Sequence, residues 1–535
     1  MFIRKNNIVF YFIVIILCLV PLYGLGQDNM AKGAVYWDKN GNGKRDNSEP
    51  GLADIGVSNG RDVLLTDKNG NYSISIKNGD QLFVIKPAGF GTQMVESYLP
   101  SFYYNYNPNG SPKQLYPGIV PTGKLPNAID FGLVKQKEEK SFRIMVFGDP
   151  QALSSKEIDY FNRGIIDDVL KNKESVSFGF TMGDITYDDL SVIEQYKEKM
   201  KRIGIQWYHT GGNHDINFDA TSDEFSTETF KSHFGPITFS FNYADVHFIV
   251  ANNVIYKGGT YKDKGSYQGG FRKSQLEFIK NDLKYVPKDK LVVLISHIPF
   301  VGREGNPTIR KNDLNELFTL LKDYKYTFSI AAHTHTQNQR FVKAPYLKDS
   351  GSNYHHQYNV GTTSGNLYSG VLDKNGLPPS TMADGTPIGY AFINFNGTNY
   401  SIDYKVAGKT KDYRMHVQMP KVLLKHEKTR ANLYVNYYLG GDLDTLSFRV
   451  NDGEWNLMTR VLESDPCFQN TIFQWDNSDK LLNGKRPTPA ALSTHLWKGM
   501  IYGEGELGKQ RVEIKVKDMF GREFTEIYIY ELVEN

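Results

Sequence analysis

From residue 141 onward, short apolar runs of the kind found in strands buried on both faces alternate with segments whose apolar positions recur every three to four residues. FRIMVFGD (142–149), SVSFGFTMGD (175–184), GIQWYHTGGNHD (204–215), FSFNYADVHFIVANN (239–253), KLVVLISH (290–297) and YTFSIAAHTH (326–335) read as strands. Between them, helical periodicity covers 154–172, opened by a Ser154/Glu157 capping box, and the stretches near 188–202, 273–285 and 312–324. Strands alternating with helices predict a layered α/β region. Before it, AVYWDKNGNG, VLLTDKNGNYSISI and QLFVIKPAGF are short alternating runs divided by Asp/Asn/Gly turns, the pattern of a small β-sandwich. From about residue 400 period-two alternation returns, which predicts a β-rich C-terminal region. A Pro-, Gly- and charge-rich stretch ending near 140 reads as a boundary. The expected division is 28–138 (β-sandwich), 139–398 (α/β) and 399–535 (β-rich).

The first 27 residues follow a different rule. Arg4 and Lys5 precede an apolar run from Ile8 to about Val20, then Pro21 and small residues near Gly24 to Gly26, the order of a secretory signal peptide. A periplasmic or extracellular protein is therefore expected, with no stable membrane span once 1–27 is removed; the alternative is an uncleaved N-terminal anchor. Of the two cysteines, only Cys467 would remain, so no intrachain disulfide could form. The chain of 535 residues is 40% hydrophobic and carries +3, too little net charge to argue for a nucleic-acid groove or an anionic membrane surface. Partners must be inferred from a site.

Such a site is written at the strand ends. Asp149 and Gln151 follow the first strand, Asp184 the second, Asn213, His214 and Asp215 the third, His297 another, and His333 and His335 the last. Loops at the carboxyl ends of strands in an open α/β sheet converge on one crevice, so these residues can meet. Their mixture of carboxylate, amide and imidazole suits divalent Mn, Fe or Zn, and the lack of cysteine argues against a structural zinc site. A second oxygen-rich set, Asp38, Asn40, Asn42, Asp46 and Glu49, occupies positions 1, 3, 5, 9 and 12 of a loop with Gly43 at position 6, the spacing by which such loops wrap calcium.

The ordered blocks DPQ, GDITYDD, GNHD, SHIP and AHTH resemble those of the calcineurin-like metallophosphoesterases over about 141–395, and the flanking regions look like the accessory domains of some bacterial secreted members. The resemblance implies a four-layer α/β sandwich holding two divalent ions. Asp149, Gln151 and His335 would hold the first, Asp184 would bridge, and Asn213, His297 and His333 would complete the second. It implies hydrolysis of a phosphate-ester substrate, monoester or diester, by hydroxide activated between the ions, with His214 as general acid. Two positions depart from the family pattern. Gln151 takes the slot usually held by His, as in a branch that includes protein serine/threonine phosphatases. Tyr187 stands where Asp or Asn is usual, which leaves the orienting partner of His214 open between Asp188 and Asp215. Arg303, His355 and His356 are candidate substrate contacts, and the segments 216–238, 301–311 and 374–387 are expected to wall the cleft. The competing reading is a calcium-stabilised surface binding protein with an inactive phosphoesterase domain.

Overall fold

The computed structural model describes residues 29–95, 98–172, 174–258, 267–342 and 354–534; the leader expected at 1–27 lies outside the described residues. In the central region the chain forms β1 (Ser141–Phe147), α1 (Ser155–Phe161), β2 (Phe178–Thr181), α2 (Ile193–Lys201), β3 (Trp207–His209), β4 (Thr238–Tyr243), β5 (Val246–Ala251), α3 (Lys273–Asp282), β6 (Leu291–Ile295), α4 (Lys311–Leu321), β7 (Tyr326–Ala331), β8 (Asn338–Val342), β9 (His355–Asn359), β10 (Gly389–Asn396) and β11 (Asn399–Val406). One sheet runs β3-β2-β1-β10-β11 and the other β4-β5-β6-β7-β9-β8. Within them β1, β2 and β3 are mutually parallel, as are β5, β6, β7 and β9. The apolar runs predicted this, because a strand with a sheet neighbour on each side and a layer over each face has no wet side. All five residues of β6 are buried.

The inner faces of the two sheets meet in an aromatic layer. Phe178 lies 5.5 Å from Phe248, Phe180 6.2 Å from Phe241, and Phe142 4.5 Å from Tyr243, ring centroid to centroid. Outside the first sheet, Phe161 and Tyr196 of α1 and α2 pack with Phe147 and Trp207. Helices over one face, two sheets and helices over the other give the four expected layers. Two local expectations need correction. Residues 239–253 are not one strand but the antiparallel hairpin β4/β5, turning at Ala244, whose φ is +48°. The helix begins at Ser155, but Ser154 makes no side-chain cap; Glu157 instead accepts from Leu153 N at 2.6 Å.

The flanking regions are both two-sheet β structures. Asn29–Trp37 pairs antiparallel with Asn71–Ile76 and parallel with Phe131–Lys135, and Gln81–Ile85 belongs to the second, four-stranded sheet. That strand is buried throughout because it faces the central region: Phe83 lies 5.5 Å from Phe278 of α3. The Pro/Gly-rich segment after it hugs the centre, with Leu115 N donating to Asp219 and Gln114 to Phe225 O. In the C-terminal region four- and five-stranded sheets include His426–Tyr437, Leu496–Gly503, Gly508–Lys517 and Glu523–Val533. Among the described residues no helix is long and apolar enough to cross a membrane.

Candidate metal centre

Five of the parallel strands, β1, β2, β3, β6 and β7, each deliver one block of the site. Asp149 follows β1, Asp184 follows β2, Asn213 follows β3, His297 follows β6, and His333 and His335 follow β7. The bends that turn these side chains inward are strained. Asp149, Gln151, Asp184, Asp188, His333 and His335 all have positive φ, between +29° and +69°, a region that non-glycine residues rarely occupy. Such strain survives only where surrounding structure enforces it, and here it is gathered around one crevice. Glycines make the crevice narrow enough. A Cβ on Gly183 would stand 2.7 Å from His297 Nδ1, and one on Gly212 would stand 2.1 Å from Asp184 Oδ1.

The side chains converge. His297 Nε2 is 3.3 Å from Asp184 Oδ2, 3.1 Å from Asn213 Oδ1 and 3.1 Å from His333 Nδ1. His335 Nε2 is 3.6 Å from Asp149 Oδ2, and Gln151 Nε2 donates to Asp184 Oδ2 at 3.4 Å. Backbone groups fix the tautomers. His297 Nδ1 donates to Met182 O at 2.8 Å and His335 Nδ1 to Gly365 O at 3.2 Å, so each ring turns a lone pair at Nε2 inward. Asp149 Oδ1 and Gln151 Oε1 are buried with no hydrogen-bond partner among the described residues. Buried acceptors without donors are costly, and inward lone pairs beside them make the set complete only around positive charge. The donors fit divalent cations: Asp184, His297 and His333 alone offer three ligand atoms within 4.8 Å of one another.

The buried groups of the cluster shift one another's protonation strongly. Burial pushes the Asp149 carboxyl up to about 8. Burial also opposes ionisation of Asp184, yet His297 and His214 beside it hold it well below the usual carboxylate range. His297 is pushed up to about 9: burial opposes its charge, and Asp184 and Asp149 outweigh the burial. His333 and His335 fall to about 3 and 4, chiefly through burial, and so stay neutral as ligands must.

Beside this cluster stands His214. Its backbone N–H donates to Asp184 Oδ1 at 2.9 Å, its Nδ1 to Asp188 Oδ1 at 2.6 Å, and its ring stacks on Tyr187 with centroids 4.5 Å apart. Asp188 therefore orients it. Asp215, the other candidate, is used up: its oxygens accept from the backbone N–H groups of Ile185, Thr186 and Gly212. It braces the loop that carries Asp184, and its catalytic assignment is corrected to that. His355 and His356 are also corrected as substrate contacts. Both are buried within β9, where His355 meets Thr327 and Ser329 and His356 meets Tyr400 and Gln339. Arg303 lines a pocket that also includes Thr334, the residue between His333 and His335, and donates to Leu492 O at 3.2 Å. The 38–49 loop is bonded mostly within itself, with Gln93 Nε2 also donating to Asp38 at 2.6 Å. Asp38 accepts from the backbone of Gly41, Asn42 and Gly43, Glu49 from Lys39 and Asp46, and the amides of Asn40 and Asn42 donate to Asp46. The carbonyls of Met182 and Gly365 are site residues that the sequence did not reveal, since a backbone group leaves no signature in residue type.

No curated protein matches the chain. Among solved structures it is similar to a purple acid phosphatase from yellow lupin seeds (13% identity, 66% of this chain and 67% of that chain, TM-score 0.35). It is similar also to PhoD (11%, 76% and 90%, TM-score 0.38) and to a metallophosphoesterase from Sphaerobacter thermophilus (12%, 50% and 89%, TM-score 0.23). Three family models match successive stretches: the N terminal of calcineurin-like phosphoesterase at 39–116, calcineurin-like phosphoesterase at 142–337, and the C terminal of calcineurin-like phosphoesterase at 357–524. With those matches running through all three regions and the metal-ligand set of the central one, the chain belongs to the calcineurin-like phosphoesterases and is a hydrolase of phosphate esters.

Proposed function

We propose that the chain hydrolyses phosphate monoesters or diesters at a two-metal site, with His214 as general acid. The observation that carries this reading is the convergence of inward imidazole lone pairs with the orphaned oxygens of Asp149 and Gln151. Asp149, Gln151 and His335 would hold one ion, Asn213, His297 and His333 the other, with Asp184 between them. When bound, two divalent cations lower the pKa of water and neutralise phosphoryl oxygens as negative charge develops.

The protein groups do the rest. Asp188 receives the Nδ1 proton of His214, so the proton available to a leaving oxygen sits on Nε2. Burial works against the charged ring, but Asp184 and Asp188 outweigh it and raise its pKa, which favours the protonated form. Tyr187, in the position that usually carries Asp or Asn, fixes the plane of the ring by stacking. Gln151 supports the same site: its Nε2 donates to Asp184 while its Oε1 stays free to ligate. The inactive-module reading rested on Gln151 and the flanking β-regions, and a glutamine placed to ligate weakens the first of these.

Elemental analysis after Mn²⁺ loading, with turnover of p-nitrophenyl phosphate and bis-p-nitrophenyl phosphate, tests the proposal. Two bound ions with turnover of either ester are expected; a protein that binds no metal and turns over neither would overturn it. The leader at 1–27 places the activity outside the cytoplasm in this reading, and N-terminal sequencing that finds Met1 on the exported protein would count against cleavage.

A further inference from the structure

A pocket of about 210 Å³ lies between the loop after His297, the loop after β7 and residues 491–494 of the C-terminal region. Thr334 is on its wall, joined in the chain to His333 on one side and His335 on the other. The volume is below the roughly 300–1,000 Å³ of sites for drug-sized ligands and suits one ring-sized group.

The lining is polar and incompletely bonded. Asn359 is 2% exposed; its Nδ2 donates to Thr334 Oγ1 at 2.8 Å and to Thr336 O at 2.7 Å, while its Oδ1 has no partner among the described residues. The carbonyl at Thr336 can only accept, which fixes that amide with its oxygen on the free side. Asn338 Oδ1 is likewise buried and unpartnered, as is Arg303 Nε, whose guanidinium has one bond, to Leu492 O. Asp384, also on the wall, is already taken by Gln337 N, Thr386 N and His495.

Two free acceptors, the free Nε of Arg303 and the unpartnered Nε2 of Gln337 select among ligands. An anion would satisfy Arg303 but meet the fixed oxygen of Asn359, which cannot donate to it; an ammonium would satisfy the amide oxygens but be repelled by Arg303. Hydroxyl groups donate and accept at once. We infer that this pocket binds the hydroxyl-rich alcohol half of the substrate, so that the phosphate esters preferred are those of sugars or polyols. The inference rests on the phosphoesterase reading for the reaction, though not for the binding. It also gives the C-terminal region a part in specificity, through Leu492.

The test compares kcat/KM of the Mn²⁺-loaded protein for glucose 1-phosphate, n-butyl phosphate and 3-phosphoglycerate. Glucose 1-phosphate is expected to exceed butyl phosphate by about tenfold or more, because a site built around unpaired polar groups discriminates against a ligand that leaves them unpaired. In Arg303→Ala and Asn338→Leu that ratio should fall toward one, with the thermal transition checked in each variant. An unchanged ratio in both folded variants, or a preference for 3-phosphoglycerate over glucose 1-phosphate, would overturn the assignment. Saturation-transfer NMR with methyl glucoside is the second readout: binding that weakens in Arg303→Ala supports the pocket, and no binding to the wild type overturns it. If no ester is turned over, the phosphoesterase reading falls, and the NMR result alone decides the pocket.

Discussion

Two pairs of histidines sit on neighbouring parallel strands, His333 and His335 just past the end of β7 and His355 and His356 in β9. In the sequence the first reads as a pair of metal ligands and the second as candidate substrate contacts, each beside an apolar run. In the structure they are opposites. His355 has both nitrogens bonded to hydroxyls, and His356 has its own bonded to a phenol and an amide, so the second pair is finished by the protein. His335 has one nitrogen fixed by a carbonyl and the other turned toward Asp149, and His333 faces His297 across 3.1 Å. Completeness of bonding, not burial or spacing, separates a packed histidine from a ligand.

That contrast can be broken by substitution. Asp184→Asn is expected to have the largest effect, a loss of bound metal and about a 10³-fold drop in kcat/KM, beyond the 10- to 100-fold that outer-shell changes cost. Two ions retained by elemental analysis would remove Asp184 from between them. His214→Ala should lower kcat for alkyl phosphates by about 10²- to 10⁴-fold, and for aryl esters with good leaving groups by less. Equal losses on both esters would end its role as acid. Asp188→Asn should cost about 10- to 100-fold with metal content intact, because the ring stays but loses its orientation. A variant with full activity would return the orienting role to another group.

The finished pair predicts effects on stability instead. Burial depresses His209, His355 and His356 to about 3. Above the unfolded value near 6.5 all three are neutral in both states. As pH falls from there toward 3, the unfolded chain takes up protons that the folded one refuses, so stability is lost by about 1.4 kcal/mol per pH unit for each. Urea midpoints measured from pH 7 to 4 should show this slope, and a flat profile would contradict it. His355→Leu should cost about 1–3 kcal/mol, by stranding the hydroxyls of Thr327 and Ser329, and should leave metal content and turnover per folded molecule unchanged. Loss of metal in that variant would join the two pairs and undo the comparison.

Periodicity was informative about the central layers because a parallel strand buried on both faces must be apolar throughout, and β1, β2, β6 and β7 read that way. It failed at 239–253, where one apolar stretch holds two strands and only the turn at Ala244 divides them. Residue type at strand ends pointed to Asp149, Gln151, Asp184, Asn213, His297, His333 and His335, all of which the structure gathers. The choice between Asp188 and Asp215 could not be made from spacing, since both follow motif glycines on turns. Three backbone amides settle it by claiming Asp215.

The sequence by itself determined the layers and the set of donor residues, because burial dictates apolar period and metal chemistry dictates residue type. Only the tertiary structure decided which of those donors are left unsatisfied, and that Asn338 and Asn359 line a pocket with Arg303. A hydrogen bond made or missing depends on groups far apart in the chain, and many of them are backbone carbonyls and amides that every residue carries alike.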